Sequence, residues 1–242
     1  MKISAKTDVG KVRNSNQDSY AAGELADNVI WAVVCDGMGG ANGGNIASET
    51  AVKVISEKIA SGYHPGMNDN SIKHLLISSI DAANAKVNSA AKNNDVLTGM
   101  GTTVVAAIIK DDNLYISNVG DSRLYIINSN SINQMTVDHS IVQMMIDHGE
   151  ISPEEAKDHP KRNVITRALG VESSVRIDFS QETIGRNDIV LLCTDGLTNY
   201  VDDETIFKAC IESDRYEIAN KLIEIANSNG GGDNVTVVSV SN

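Results

Sequence analysis

Short apolar runs, rich in valine and isoleucine and bounded by glycine, aspartate or asparagine, are the feature that most limits how this chain can fold. Segments of this length and composition are typical of β-strands. Strands are accordingly predicted at 2–8, 18–24, 29–35, 102–110, 113–119, 122–128, 175–183, 188–194 and 234–240. Several of them follow one another through short turns, which favours antiparallel pairing over parallel pairing with long crossovers.

Helices are predicted where apolar residues recur with a period near 3.6. The predicted segments are 46–60, 71–92, 140–148 and 203–228. In the first of these, Ile46, Val54 and Ile59 fall near one face of the helix. Clustered strands with helices between the clusters predict an α+β fold, a layered sandwich of antiparallel sheets with helices packed outside, rather than alternating βαβ units.

The domain organisation is expected to be simple, because no proline- or serine-rich linker and no fixed-period repeat divides the chain. A single domain over 1–242 is predicted. The segment 149–170 differs from the rest, since it is polar, contains two of the three prolines and interrupts the series of strands. Two interpretations of this segment stay open: a flap that borders the functional site, or a plain long surface loop.

Charge and composition limit the partners and the compartment. A formal net charge of −12 repels nucleic-acid phosphates and anionic lipid headgroups, so neither is an expected partner. The first ten residues lack the apolar stretch of a secretory signal. The longest apolar runs, 29–35 and 103–109, are far shorter than the roughly 20 residues of a membrane span. Three cysteines without a CxxC pair argue against a disulfide framework. A cytoplasmic protein without membrane insertion is therefore expected.

An aspartate with glycine or asparagine next to it, or two residues away in the case of Asp18, recurs at or near the ends of the predicted strands. The positions are Asp18 in RNSNQD, Asp36 in CDGMGG, Asp195 in CTDG and Asp233 in GGGDNV, with Asp121 in GDSR between two strands. A single Asp-Gly is usually a turn, but recurrence directly after apolar runs favours a shared site. Converging aspartates repel one another unless a cation lies between them. Carboxylate-only ligation suits Mg²⁺ or Mn²⁺ rather than zinc, so a site for such ions is predicted if the strand ends meet.

Other known site motifs do not match this sequence at residues that they require. In the glycine-rich stretch after Asp36, Asn42 stands where the dinucleotide fingerprint GxGxxG needs its last glycine, and Asn45 replaces the lysine of a phosphate-binding P-loop. The five histidines show no zinc spacing and are interpreted as surface or packing residues. No GxSxG stretch is present, so a serine nucleophile has no support.

Six motifs in order, RNSNQD, DGMGG, GDSR, RNVITRALG, TDGL and GGDNVT, resemble those of the metal-dependent protein phosphatases (PPM), the type 2C Ser/Thr phosphatases. The likeness is greatest to the short bacterial single-domain members, and it runs from Lys2 to Val240. The resemblance implies a four-layer α/β/β/α sandwich, in which two antiparallel sheets are flanked by pairs of helices. This fold agrees with the layered sandwich predicted from the strands and helices.

The resemblance also implies a dinuclear Mn²⁺ or Mg²⁺ centre. Asp36 would bridge two ions, with the Gly37 carbonyl on one of them. Asp18 would reach this cluster directly or through water, and Asp195 and Asp233 would complete it. Two such ions share a water, lower its pKa and orient it for in-line attack on phosphorus, so no covalent phosphoenzyme is needed.

Three further features of the site follow from the resemblance. Asp121, with Asp195, would hold a third, weaker metal ion. Arg13 would bind the substrate phosphate through the planar fork of its guanidinium. Met38 stands where many eukaryotic relatives have a histidine that is proposed as the general acid, so the group that protonates the leaving oxygen is unassigned.

An active phosphatase of phosphoserine and phosphothreonine proteins is the function expected from these residues. A metal-stabilised binding module without catalysis is an alternative, and dephosphorylation of a dedicated anti-sigma antagonist is another. The resemblance further implies a cognate Ser/Thr kinase whose phosphorylation the enzyme reverses. A monomer is expected.

Overall fold

The computed structural model describes residues 1–241, with 41 and 42 described by their backbone alone. Its strands are β1 (Lys2–Asp8), β2 (Asp18–Glu24), β3 (Ile30–Met38), β4 (Gly101–Thr102), β5 (Val104–Lys110), β6 (Asn113–Val119), β7 (Arg123–Ile127), β8 (Ile132–Gln134), β9 (Asp178–Thr183), β10 (Ile189–Cys193) and β11 (Val235–Ser241). Its α-helices are α1 (Gly40–Gly62), α2 (Asp69–Asn93), α3 (Ile141–Asp147), α4 (Pro153–Lys157), α5 (Asp195–Thr198), α6 (Asp203–Glu212) and α7 (Ile218–Ser228).

The strands form two sheets. One has the order β1-β11-β10-β7-β8, and the other has the order β2-β3-β5-β6-β9, with β4 paired to the end of β3. Neighbouring strands are antiparallel throughout both sheets in the described residues. The predicted antiparallel pairing is therefore confirmed.

Three apolar cores separate four layers. Val33 of β3 packs with Ile55 of α1 in the core beneath α1 and α2. The next residue, Val34, packs with Leu192 of β10 in the core between the sheets. Leu222 of α7 belongs to the third core, on the other outer face. Successive side chains of a strand point to opposite faces, so a strand covered on both faces is apolar without alternation. The α/β/β/α sandwich predicted from the sequence is confirmed.

The predicted strand 102–110 is divided at Thr103, which was not foreseen. The Thr103 amide donates to the Asp36 carbonyl oxygen (2.8 Å), and its hydroxyl accepts a hydrogen bond from the Asp36 amide (2.9 Å). Thr103 therefore bonds to the end of β3 where the chain passes from β4 to β5. This interruption of the strand fixes the backbone of one predicted metal ligand.

The helices also differ from the prediction. The region 203–228 is helical as predicted, but a turn divides it into α6 and α7, and in this turn the Tyr216 amide donates to Asp214 Oδ1 (2.9 Å). The helix α1 begins at Gly40, six residues before the predicted start at Ile46. The short elements α4, α5 and β8 were not predicted. None of the helices in residues 1–241 has the length and apolar character needed to cross a bilayer.

The segment 149–170 contains the short helix α4, which begins with a capping box between Ser152 and Glu155. Its C-terminal part is tied to the rest of the molecule by two antiparallel bridges, Ser140 with Ile165 and Thr102 with Leu169. The second bridge connects the segment to β4, and through β4 to the end of β3.

Candidate metal centre

The predicted aspartates meet at one end of the sandwich. A cavity of about 680 Å³ is lined by Asp36, Asp121, Asp195 and Asp233, among other residues. The topology explains this placement, because Asp195 directly follows β10 and Asp233 lies just before its antiparallel neighbour β11. Asp121 precedes β7, which also pairs with β10. We call this cavity the metal pocket.

Asp36 lies near the end of β3, where Thr103 binds its backbone. Burial raises the pKa of its carboxyl group well above the ordinary value, and the nearby charges of Asp18 and Asp195 raise it further. No basic side chain of residues 1–241 forms an ion pair with it. A buried carboxylate of this kind needs a cation or a proton.

Asp195 is the first residue of α5, and Asn199 one turn later donates to its Oδ2 (2.9 Å). No described residue donates a hydrogen bond to its buried Oδ1. Burial raises the pKa of Asp195, and the charge of Asp233 adds to this effect.

Asp18 pairs with Asp36 in the β2–β3 ladder and lies behind the metal pocket rather than lining it. Its Oδ2 accepts hydrogen bonds from the hydroxyls of Thr194 (2.8 Å) and Thr236 (2.7 Å). Its Oδ1 is buried without a donor among the described residues. Burial raises the pKa of Asp18 to about 7, although the two hydroxyls act in the opposite direction.

Asp121 lies in the turn between β6 and β7, and burial followed by the charge of Asp195 raises its pKa to about 8. Gly120 before it has a φ of +105°, and a Cβ there would lie 2.6 Å from Thr103 Cγ2. The turn is held by Ser122, whose hydroxyl lies 2.7 Å from that of Thr103. Thr103 therefore links the backbone of Asp36 to the turn that carries Asp121.

Arg13 and Asp233 form a two-point ion pair at the mouth of the pocket. Nη2 of Arg13 donates to Oδ2 of Asp233 (2.9 Å), and Nε lies 2.9 Å from Oδ1. The Arg13 side chain is 55% exposed, so the pair is open to solvent. The residue predicted to bind phosphate thus contacts a residue predicted to bind metal, which the sequence did not indicate.

The glycines after Asp36 let β3 and α1 approach each other. A Cβ on Gly37 would lie 2.0 Å from the Gly44 carbonyl oxygen, so only glycine fits there. Gly37 also lines the metal pocket.

The donor set fits a hard divalent cation. Among residues 1–241, no three His, Cys, Asp or Glu side chains form a complete metal-binding group by themselves. The carboxylates line a common cavity. Mg²⁺ is commonly held by one or two carboxylates, with waters completing its shell. The free buried oxygens of Asp18 and Asp195 are acceptors that such a shell can use. The ligand set itself stays a prediction.

Asn234, which is not among the predicted site residues, holds predicted site residues in place. Oδ1 of Asn234 accepts from the Gln17 amide (2.8 Å), and its Nδ2 donates to the carbonyl oxygens of Val9 (2.9 Å) and Ser15 (3.0 Å). This single side chain fixes the loop that carries Arg13. Its place next to Asp233 in GGDNVT was the available signal.

His139 was interpreted as a surface or packing residue, and its hydrogen bonds show a more specific role. The ring is 4% exposed. Its Nδ1 accepts a hydrogen bond from the Gly120 amide (3.0 Å), so in the neutral ring Nε2 carries the proton and donates to Asp178 (3.2 Å). Arg167 also donates to Asp178 (2.9 Å). In the sequence His139 is only a histidine in a polar stretch, which does not distinguish a buried residue that links Gly120 to Asp178 from an ordinary surface residue.

The fold and its pocket, in which Asp36, Asp121 and Asp195 have no ion-pair partner among residues 1–241, are those expected of an enzyme that works with divalent cations. The model of the family described as "Protein phosphatase 2C" matches residues 11–221. The chain is 41% identical over 239 residues to the serine/threonine phosphatase stp of Listeria welshimeri, an alignment that covers 97% of this chain and 93% of that protein. The chain therefore belongs to the protein phosphatase 2C family, as the resemblance predicted.

Solved structures agree with this assignment. The crystal structure of the serine/threonine phosphatase Stp1 from Staphylococcus aureus matches with a TM-score of 0.94 and 33% identity, over 100% of this chain and 94% of that one. The catalytic domain of the serine/threonine protein phosphatase PstP, solved in complex with two manganese ions, matches with a TM-score of 0.86 and 33% identity, over 98% and 96%. The predicted enzyme class, a metal-dependent protein serine/threonine phosphatase, is confirmed.

Proposed function

We propose that this chain hydrolyses phosphoserine and phosphothreonine in proteins at the metal pocket, and that it thereby reverses the action of a Ser/Thr kinase. The observation that carries the proposal is the group of carboxylates, the buried Asp121 and the partly buried Asp36 and Asp195, that share one cavity without a basic partner. An exposed guanidinium, that of Arg13, lies at the mouth of the same cavity.

Mn²⁺ or Mg²⁺ would be held at the core by Asp36, the Gly37 carbonyl, Asp195 and Asp233, with Asp18 contributing its free Oδ1 directly or through water. Asp121 and Asp195 would hold a third ion. When bound, the ions lower the pKa of a water for attack on phosphorus and neutralise charge on the phosphoryl oxygens.

Arg13 orients the phosphate. Its guanidinium already binds two carboxylate oxygens of Asp233 in the fork geometry that also suits two phosphoryl oxygens. Because the side chain is more than half exposed, it can turn from Asp233 to an incoming phosphate without crossing a packed core.

The leaving serine or threonine oxygen needs a proton. Met38 lines the pocket in the position of the proposed general acid and has no proton to give. The described lining of the pocket contains no histidine. Solvent in the cavity or one of the carboxyl groups therefore supplies this proton.

The segment 149–170 acts as a flap next to this site. Asn163 and Ile165 from the segment line the metal pocket, which favours the flap over the plain surface loop. Its bridges to Ser140 and Thr102 hold its C-terminal part against the sandwich.

A cytoplasmic monomer paired with a cognate Ser/Thr kinase is the setting that we infer. The net charge of −12 disfavours nucleic acid and anionic membranes. Cys35, Cys193 and Cys210 are free and buried, as is usual in a reducing compartment.

The direct test uses the full chain with Mn²⁺, a phosphothreonine peptide and p-nitrophenyl phosphate. Release of phosphate from both substrates, stopped by excess EDTA and restored by Mn²⁺, is the expected result. Full activity in EDTA would contradict the proposal. Mn²⁺ binding, seen as a thermal shift, without turnover of any phosphopeptide would instead favour a binding module.

A further inference from the structure

A second cavity opens next to the metal pocket. It has a volume of about 300 Å³, and its apolar lining comes from Met38, Ile165, Ala168, Val171 and Val175. Met38 and Ile165 line both cavities. We call the second cavity the side pocket. A ligand whose phosphate lies in the metal pocket can extend directly into it.

The wall of the side pocket is held in place by two buried amides of α2. Asn84 accepts a hydrogen bond from the Gly170 amide (2.7 Å) and donates to the Glu172 carbonyl oxygen (3.1 Å). Asn88 donates to the Gly170 carbonyl oxygen (2.9 Å). Asn84 and Asn88 are 2% and 7% exposed, so water does not compete for these bonds. The pocket is therefore formed before any ligand binds, which lowers the cost of binding.

The floor of the side pocket lies over Gly101. A Cβ there would lie 2.9 Å from Met38 Cε and 3.1 Å from Val171 Cγ2, so these two side chains close over the glycine. The Val171 side chain nevertheless remains 53% exposed. A single exposed valine is ordinary, but this one forms a concave apolar surface with Ala168 and Val175.

The charged groups around the side pocket balance one another. Arg167 donates to Asp178 (2.9 Å), and Arg176 Nε lies 3.5 Å from the same carboxylate. Glu172, which lines the pocket itself, supplies a second negative charge. Two cations matched by two carboxylates attract neither sign strongly. The pocket therefore suits an uncharged apolar side chain.

We propose that the side pocket binds an aliphatic side chain of the phosphoprotein substrate, within about three residues of the phosphorylated residue, because an extended chain advances about 3.3 Å per residue. The inference rests on the proposed function of the metal pocket. The cavity volume lies at the lower end of the roughly 300–1,000 Å³ of small-molecule sites, which is room for one side chain rather than for a whole ligand.

The test is a series of phosphothreonine peptides with leucine, alanine, aspartate or lysine at each of three positions on either side, measured with the full chain and Mn²⁺. At one position, leucine should give a kcat/KM about tenfold above that of alanine, as expected for apolar groups entering a preformed pocket. The variant Val171→Asp should remove most of this preference. The control Val96→Asp, at a 72% exposed valine outside both cavities, should keep it.

Each other outcome overturns the inference. A flat peptide series, or a leucine preference that Val171→Asp leaves intact, would show that the side pocket does not bind the substrate. A preference for aspartate that Arg176→Gln abolishes would assign the pocket to an acidic side chain instead. Hydrolysis of p-nitrophenyl phosphate, measured in parallel, separates the two proposals. If it continues while the peptide series is flat, only this inference fails, and if neither substrate is hydrolysed, both fail.

Discussion

His139 binds Asp178 through Nε2 and the turn that carries Asp121 through Nδ1, and the surroundings of these two aspartates differ in the one respect that matters most for function. Burial acts to raise the pKa of Asp178, but the hydrogen bonds from His139 and Arg167 outweigh it, and the pKa is lowered. Asp121 has no such hydrogen-bonded cation in residues 1–241, and burial raises its pKa to about 8.

This difference separates a structural carboxylate from one that needs an added cation. Asp178 is neutralised by the protein itself, so its charge stabilises the fold. Asp36, Asp121 and Asp195 lie in surroundings that raise their pKa at the cost of folding stability, which native proteins tolerate mainly at functional sites.

Removal of one charge from the metal pocket should eliminate catalysis. Asp36→Asn is expected to lower kcat/KM for p-nitrophenyl phosphate with Mn²⁺ by about 10³-fold or more, because Asp36 is the proposed bridging ligand. The control Asp112→Asn changes an exposed aspartate in the turn between β5 and β6 and should stay within twofold of the parent. Activity of Asp36→Asn near that of the parent would remove Asp36 from the metal site.

The same substitution should have opposite effects on stability at the two positions. In EDTA, Asp121→Asn should raise the free energy of unfolding by about 1–2 kcal/mol, because it removes a buried and unpaired charge. Asp178→Asn should lower it by about 1 kcal/mol, an amount reduced by partial exposure of the ion pairs. Urea denaturation of both variants measures the change in the free energy of unfolding. Changes of the same sign would show that Asp121 and Asp178 do not differ in this way.

Arg13 should affect binding more than turnover. Arg13→Ala is expected to raise KM for a phosphopeptide about tenfold with little change in kcat, because a contact made equally in the ground state and the transition state is lost. Lys11→Ala, in the same loop, serves as the control. A fall in kcat at constant KM would mean that Arg13 acts only in the transition state.

The pH dependence of stability should have opposite signs for the carboxyl groups with raised pKa and for His139. Carboxyl groups with raised pKa, such as Asp18 (about 7) and Asp121 (about 8), contribute stability that is lost as pH rises through those values. Burial lowers the pKa of His139, whose contribution is therefore lost as pH falls below 6.5.

Because carboxyl groups outnumber the histidine, the protein in EDTA should be more stable at pH 5.5 than at pH 7.5, by roughly 3 kcal/mol. With saturating Mn²⁺ the order should reverse, since metal ligands must be deprotonated. Denaturation at both pH values, with and without metal, tests the reversal. Parallel pH dependences in the two conditions would contradict it.

The strand-end aspartates could be predicted from the sequence because two local signals coincided, an apolar run and an adjacent glycine or asparagine. The sandwich could be predicted because most of its strands are apolar runs that are recognisable from their own residues. The roles of Thr103, Thr194 and Thr236 could not, since a threonine has the same local signal whether it binds a backbone group, binds a carboxylate or faces solvent. The ion pair of Arg13 with Asp233 spans most of the chain, so no local pattern indicates it.

The helix start at Gly40 escaped prediction for a different reason. Glycine is a poor helix former. The close contact between Gly37 of β3 and Gly44 of α1 nevertheless requires glycines at the junction between this strand and this helix. Close tertiary packing therefore overrides local propensity at the edge of the metal pocket.

Calorimetric titration of the full chain with Mn²⁺ at pH 7.5 tests most directly whether the unpaired carboxylates form the metal site. Asp178→Asn should bind Mn²⁺ as the parent does, and Asp36→Asn should lose at least one binding event. Unchanged Mn²⁺ binding by Asp36→Asn, or loss of binding in Asp178→Asn, would show that the unpaired carboxylates do not form the metal site.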